Sequence, residues 1–101
     1  MEFQIKGPFD DNFYNLMRKV GYHFLYKDEK TGEYSFVNPV GGDDFPRFHL
    51  FLKIKDDSLI FNLHLDQRAP SYEGVAAHEG EYGGDLVEKE MERIKQILQK
   101  P

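Results

Sequence analysis

The chain has 101 residues, 40% of them hydrophobic and 15% aromatic, with a formal net charge of −5 and no cysteine. This length suits one domain, residues 1–101, with one core, and the aromatic content excludes a disordered chain, which lacks the bulky groups that offset ordering entropy. Disulfides, thiolate metal sites and cysteine nucleophiles are excluded, no stretch approaches the roughly 20 apolar residues of a membrane helix, and the acidic balance makes nucleic acid an unfavoured partner.

Met1–Lys6 carries no basic start followed by a long apolar run, so no signal peptide is read there and a cytoplasmic location is expected. Met1, Phe3 and Ile5 alternate with polar residues, which predicts a short strand at a sheet edge, broken by Gly7-Pro8. From Asp10 the period changes. Phe13, Leu16, Met17 and Val20 fall at i, i+3, i+4 and i+7, the apolar stripe of a helix, with Asp10 as the expected N-cap and Gly21 as the stop.

Tyr22–Lys27 and Glu33–Val37 read as a hairpin around Asp28–Gly32. Tyr22, Phe24, Tyr26, Tyr34 and Phe36 take one face. Residues 38–46, with two prolines, two glycines and two aspartates, read as a loop. Arg47–Lys55 and Ser58–Asp66 form the clearest pair. If Asp56-Asp57 is a two-residue turn, opposed residues sum to 113. Phe48, Leu50, Leu52 and Ile54 then face Leu65, Leu63, Phe61 and Leu59. A slip of one residue brings polar groups into the core, so the pattern sets the register.

Residues 67–84 have no periodicity and read as a long loop, of the kind that carries function. A C-terminal helix is expected from Asp85, where Asp85 and Glu88 resemble a capping box, with Leu86, Val87, Met91, Ile94 and Leu98 as its stripe. The expected fold is therefore α+β: a two-layer sandwich of a four-stranded antiparallel sheet, extended by the short N-terminal edge strand, with the N-terminal and C-terminal helices on one face.

The same register places His49 opposite His64, Arg47 opposite Asp66, Phe51 opposite Asn62 and Lys53 opposite Ile60 on the other face. The first hairpin adds His23, Leu25, Ser35 and Val37. Leu25, Val37, Phe51 and Ile60 are more apolar than a solvated sheet face requires, which points to a protein partner or a homodimer. The expected binding residues are Arg47, His49, Phe51, Ile60, Asn62, His64 and Asp66, with Tyr72 and Tyr82 from the loop. Nothing in the composition points to a membrane partner. The function expected from this surface is that of a small binding or regulatory domain.

The alternative is a histidine-dependent, metal-assisted hydrolase at the same place. His49 and His64, joined by His78 from the loop, could hold zinc or another divalent metal. Asp66 or a loop glutamate would orient a histidine base. No Gly-x-Ser-x-Gly turn marks a nucleophile, and no phosphate-binding loop or H-E-x-x-H helix is present.

Overall fold

The computed structural model describes residues 1–67 and 79–99. In chain order the elements are β1 (Glu2–Lys6), α1 (Phe13–Lys19), β2 (His23–Lys27), β3 (Tyr34–Pro39), β4 (Arg47–Lys55), β5 (Ser58–Asp66) and α2 (Glu79–Leu98). The five strands form one antiparallel sheet in the order β1-β5-β4-β3-β2. The four-stranded sheet read from the sequence thus gains β1 as a full edge strand. β1 pairs with β5 along its length, placing Phe3 opposite Phe61 and Ile5 opposite Leu59.

The central hairpin has the expected register, with every pair from Arg47↔Asp66 to Lys55↔Ser58 in place. Its turn is closed by Asp56 at φ 57°, a left-handed conformation that aspartate tolerates better than most residues. Gly7 packs against this turn and donates its N–H to the Asp57 carbonyl at 2.7 Å. A Cβ on Gly7 would lie 2.6 Å from that carbonyl oxygen, so only glycine fits.

Phe48, Leu50, Leu52, Leu59, Phe61, Leu63 and Leu65 are buried in one cluster. Leu16, Met17 and Val20 of the α1 segment and Val87 and Ile94 of α2 belong to it as well. Both helices therefore cover the same face of the sheet, and each large side chain buried there contributes about 1.5–3 kcal/mol. Phe3 stacks on Phe61 with centroids 4.8 Å apart. Ile54 faces Leu59 as expected but is 41% exposed, because it lies at the sheet's end beyond the helices' stripe.

Three elements depart from the sequence reading. α1 starts at Phe13, and its N-cap is Asn12 rather than Asp10: the Asn12 side chain accepts from the Asn15 N–H at 2.9 Å. Asp11 braces the cap by accepting from the Asn12 N–H and the Asn15 amide. The stop is as expected. Gly21 sits at φ 97°, and the Tyr22 N–H reaches back to the Met17 carbonyl in a Schellman arrangement.

The second departure is α2, which begins at Glu79, so Asp85 and Glu88 lie inside the helix and do not cap it. Glycines at 80, 83 and 84 cost helix propensity, about 1 kcal/mol each. Unlike proline they keep the backbone donor, so the helix runs through them. The third departure is a bulge between Phe24 and Tyr26. It moves Tyr26 opposite Ser35 and hence to the face away from the helices.

Candidate functional site on the outer sheet face

The register orders the residues opposite the helices, the outer face, into rows. One row runs His23, Val37, His49, His64. The next runs Tyr26, Ser35, Phe51, Asn62, Glu2, and the row after it Lys53, Ile60, Gln4. Arg47 and Asp66 close one end. Side chains in one row stand about 5 Å from their neighbours, close enough for direct contact.

His49 is the centre of this face. Its Nδ1 lies 3.1 Å from Asp66 Oδ2, and its Nε2 lies 2.7 Å from Ser35 Oγ. An ionised Asp66 only accepts, so Nδ1 carries a proton, and the Ser35 hydroxyl partners Nε2. That His49 bond is the main cause holding the Asp66 carboxyl below its ordinary range. The charges of His49, Arg47 and His64 add to the effect, and burial opposes it. Ser35 is 1% exposed, a small residue in its row between Tyr26 and Phe51.

The fixed imidazole supports an aromatic group. Phe51 stacks on His49 at 4.4 Å with 29° between the rings, and His64 meets the Phe51 edge at 5.8 Å. Phe51, Ile60 and Asn62 are half-buried and His64 is exposed. Arg47 lies over the Phe45 ring at 4.4 Å, and its Nε is 3.7 Å from Asp66 Oδ2. That separation is too long for a hydrogen bond. The Nε is shielded from solvent and has no hydrogen-bond partner among the described residues.

The structure thus brings together Arg47, His49, Phe51, Ile60, Asn62, His64 and Asp66 on one face. Tyr72, His78 and the Tyr82 side chain lie outside the described residues. Val37 is buried, not displayed, and Leu25 stands at the bulge of an edge strand. No group of three metal-ligating side chains forms among the described residues. Both ring nitrogens of His49 are engaged, so a metal ligand role would require breaking one of these bonds.

Sequence reasoning missed two partnerships. It listed Ser35 on the outer face but did not connect it to His49; the connection needs the β3–β4 register, which a nine-residue loop leaves open. It also missed a polar lock on the helix side. The Tyr22 hydroxyl donates to Glu90 Oε2 at 2.7 Å, and Arg93 donates to both Glu90 oxygens and to the Val20 carbonyl. Burial, then the Glu90 bond and its charge, raise the Tyr22 pKa. Glu90 falls three residues after Val87 and four before Ile94, within the apolar stripe, and that spacing was the available signal.

No protein-family model matches the chain, and neither a curated protein nor a solved structure matches it. Among the described residues no helix is long and apolar enough to cross a membrane.

Proposed function

We propose that this chain is a protein-binding domain whose contact surface is the outer sheet face, centred on Phe51, Ile60 and His64. The observation that carries the reading is the pinned His49 ring. Held by Ser35 and Asp66, it fixes Phe51 in a half-exposed position. A side chain fixed before contact loses little rotamer entropy on binding, which favours a rigid aromatic anchor. Ile60 supplies an apolar neighbour, and Asn62 and His64 supply polar ones.

A photo-crosslinking amino acid in place of His64, expressed in the source cells, tests this. Covalent adducts are expected from that position and not from the same group in place of Lys89 on α2. They should vanish in the background of Phe51→Ser with Ile60→Ser. A doubled monomer mass would identify a second copy as the partner. Equal adducts from both positions, or none from either, would refute the reading.

A hydrolase has one observation in its favour: Ser35, His49 and Asp66 are connected in the order of a serine nucleophile, its base and the base's orienting acid. Against it, Ser35 Oγ is sealed from solvent on β3, a strand paired on both sides. A nucleophile normally stands exposed at a sharp turn. A fluorophosphonate probe followed by mass spectrometry separates the two. Labelling of Ser35 that is lost in His49→Ala would favour hydrolysis, and an unlabelled chain favours binding.

A further inference from the structure

β1 is an edge strand, and among the described residues no strand pairs with its outer side. The bonds it makes inward fix the direction of its backbone groups. The Met1 amino group donates to the Leu63 carbonyl, the Leu63 N–H donates to the Met1 carbonyl, and the Gly7 N–H donates to the Asp57 carbonyl. Bonded and non-bonded pairs alternate along an antiparallel ladder, so the odd-numbered residues of β1 turn their N–H and C=O groups to β5. Glu2, Gln4 and Lys6 therefore turn theirs to the free edge. Their side chains are exposed, whereas Phe3 and Ile5 are buried. Neither Glu2 nor Lys6 makes an ion pair among the described residues. Lys6 stands opposite Ser58, and Ser58 opposite Lys55, so this paired row holds two ammonium groups and no carboxylate. Glu2 ends the row of Tyr26, Ser35, Phe51 and Asn62, which holds no cation.

We infer that two copies of this chain pair through β1, edge to edge and antiparallel, about a two-fold axis at Gln4. Gln4 then faces Gln4 of the second copy. Glu2 faces Lys6 of the second copy, and by symmetry Lys6 faces its Glu2. In this register the outward backbone groups of Glu2, Gln4 and Lys6 meet those of the same three residues, so each donor finds an acceptor. A slip of one residue sets outward-pointing groups against inward-pointing ones. A slip of two leaves one charge opposite Gln4 and carries the other past the strand. Charged side chains ordinarily guard a free edge against pairing, but the alternating sign on β1 suits this one register. The other edge strand has no such match. β2 is interrupted by its bulge, and self-pairing about Leu25 would oppose His23 to Lys27 with no carboxylate. Opposed residues of an antiparallel pair share a face, so the two five-stranded sheets join into one and the two outer faces lie side by side. The pairing does not depend on what those faces bind.

The test uses the full chain. It has no cysteine, so a single introduced cysteine reports one contact. Gln4→Cys should give a disulfide-linked dimer under mild oxidation, because the Cα atoms of a bonded antiparallel pair are about 5.5 Å apart, within disulfide reach. Lys89→Cys, at an exposed position of α2, should not. Sedimentation at rising concentration, up to millimolar, should show a monomer–dimer equilibrium in the wild type. Glu2→Lys or Lys6→Glu alone sets like charges opposite at both symmetric positions and should weaken the dimer by about tenfold. The two together exchange the signs and should restore it. Gln4→Pro removes an outward N–H at a position where an edge strand tolerates proline, and should leave a folded monomer. A monomer at every concentration, equal disulfide yields from both cysteines, or a dimer indifferent to the β1 variants would overturn the inference, as would a charge exchange that restores nothing. A dimer lost only in Phe51→Ser with Ile60→Ser would place the second copy on the outer face, so that this inference falls and the binding reading stands.

Discussion

Replacing Tyr22 by Phe removes one hydroxyl from the helix side of the fold and should destabilise it by about 1.5–3 kcal/mol, the value of a hydrogen bond to a charged group. The Tyr22 side chain is 2% exposed and Glu90 7%, so water cannot replace the lost donor without rearrangement. The cost stops short of the 3–5 kcal/mol typical of a broken buried ion pair, because Arg93 still donates to both Glu90 oxygens. Glu90→Leu removes the acceptor instead of the donor: it leaves the Tyr22 hydroxyl buried without an acceptor, a penalty of about 1–3 kcal/mol. Arg93 is 41% exposed on its side chain and can turn to solvent. The double variant removes both partners, so its loss should be smaller than the sum of the two single losses. Urea unfolding of the four chains at pH 7, with equal slopes, measures this coupling. The Tyr22→Phe loss corresponds to roughly 6–24 °C in Tm for a domain of this size. Additive losses, or a neutral Tyr22→Phe, would show that the lock does not hold α2 to the start of β2. The sign with pH is also fixed. The folded state raises the Tyr22 pKa above its ordinary value, so its contribution is full below about pH 10 and declines as pH rises beyond that.

Two further outcomes follow from the geometry. Gly7→Ala should destabilise the chain by more than the ~1 kcal/mol of an average point mutation, because its Cβ would meet the Asp57 carbonyl at 2.6 Å; an unchanged urea midpoint would mean that the β1–turn contact is not formed. Asp66→Asn should flatten the acid limb of the stability profile. The folded state lowers the Asp66 pKa, so its contribution is present above the ordinary carboxylate value near 4 and lost as pH falls below it. Parallel wild-type and variant curves between pH 5 and pH 2 would contradict the His49–Asp66 bond.

The central hairpin was legible in the sequence because one register alone keeps Phe48, Leu50, Leu52, Leu59, Phe61, Leu63 and Leu65 on one face, and the structure has that register. The position of His49 opposite His64 came with it. The bulge in β2 was not legible. His23–Lys27 reads as a regular alternation, and the extra residue appears only once β3 is paired beside it. Helix starts failed for a related reason. Asp10, Asp11 and Asn12 are all good caps, and only the Asn12 side chain reaches the Asn15 N–H. The start of α2 was set too late because three glycines were read as loop residues, although glycine lowers helix stability without forbidding the helix.

Two polar networks among the described residues serve different ends. Tyr22, Glu90 and Arg93 bridge α2 to the segment between α1 and β2, so the lock joins distant parts of the chain, and its donors and acceptors complete one another. Ser35, His49 and Asp66 lie on three adjacent strands already joined by backbone hydrogen bonds. Their side-chain bonds add no new connection between elements, and the network is open to solvent at Asp66. Threonine or valine at position 49 would suit the strand at least as well as histidine by β propensity. What the histidine adds is an oriented ring under Phe51 and an Asp66 held ionised beside Arg47. That arrangement fixes the position of a half-exposed aromatic side chain between an arginine at one end of the face and three lysines at the other. His49→Val leaves the buried Ser35 hydroxyl without its partner, a cost of about 1–3 kcal/mol, and should weaken whatever binds at Phe51 by more than that loss of stability explains. A large loss of stability with binding intact would assign the ring to the fold instead.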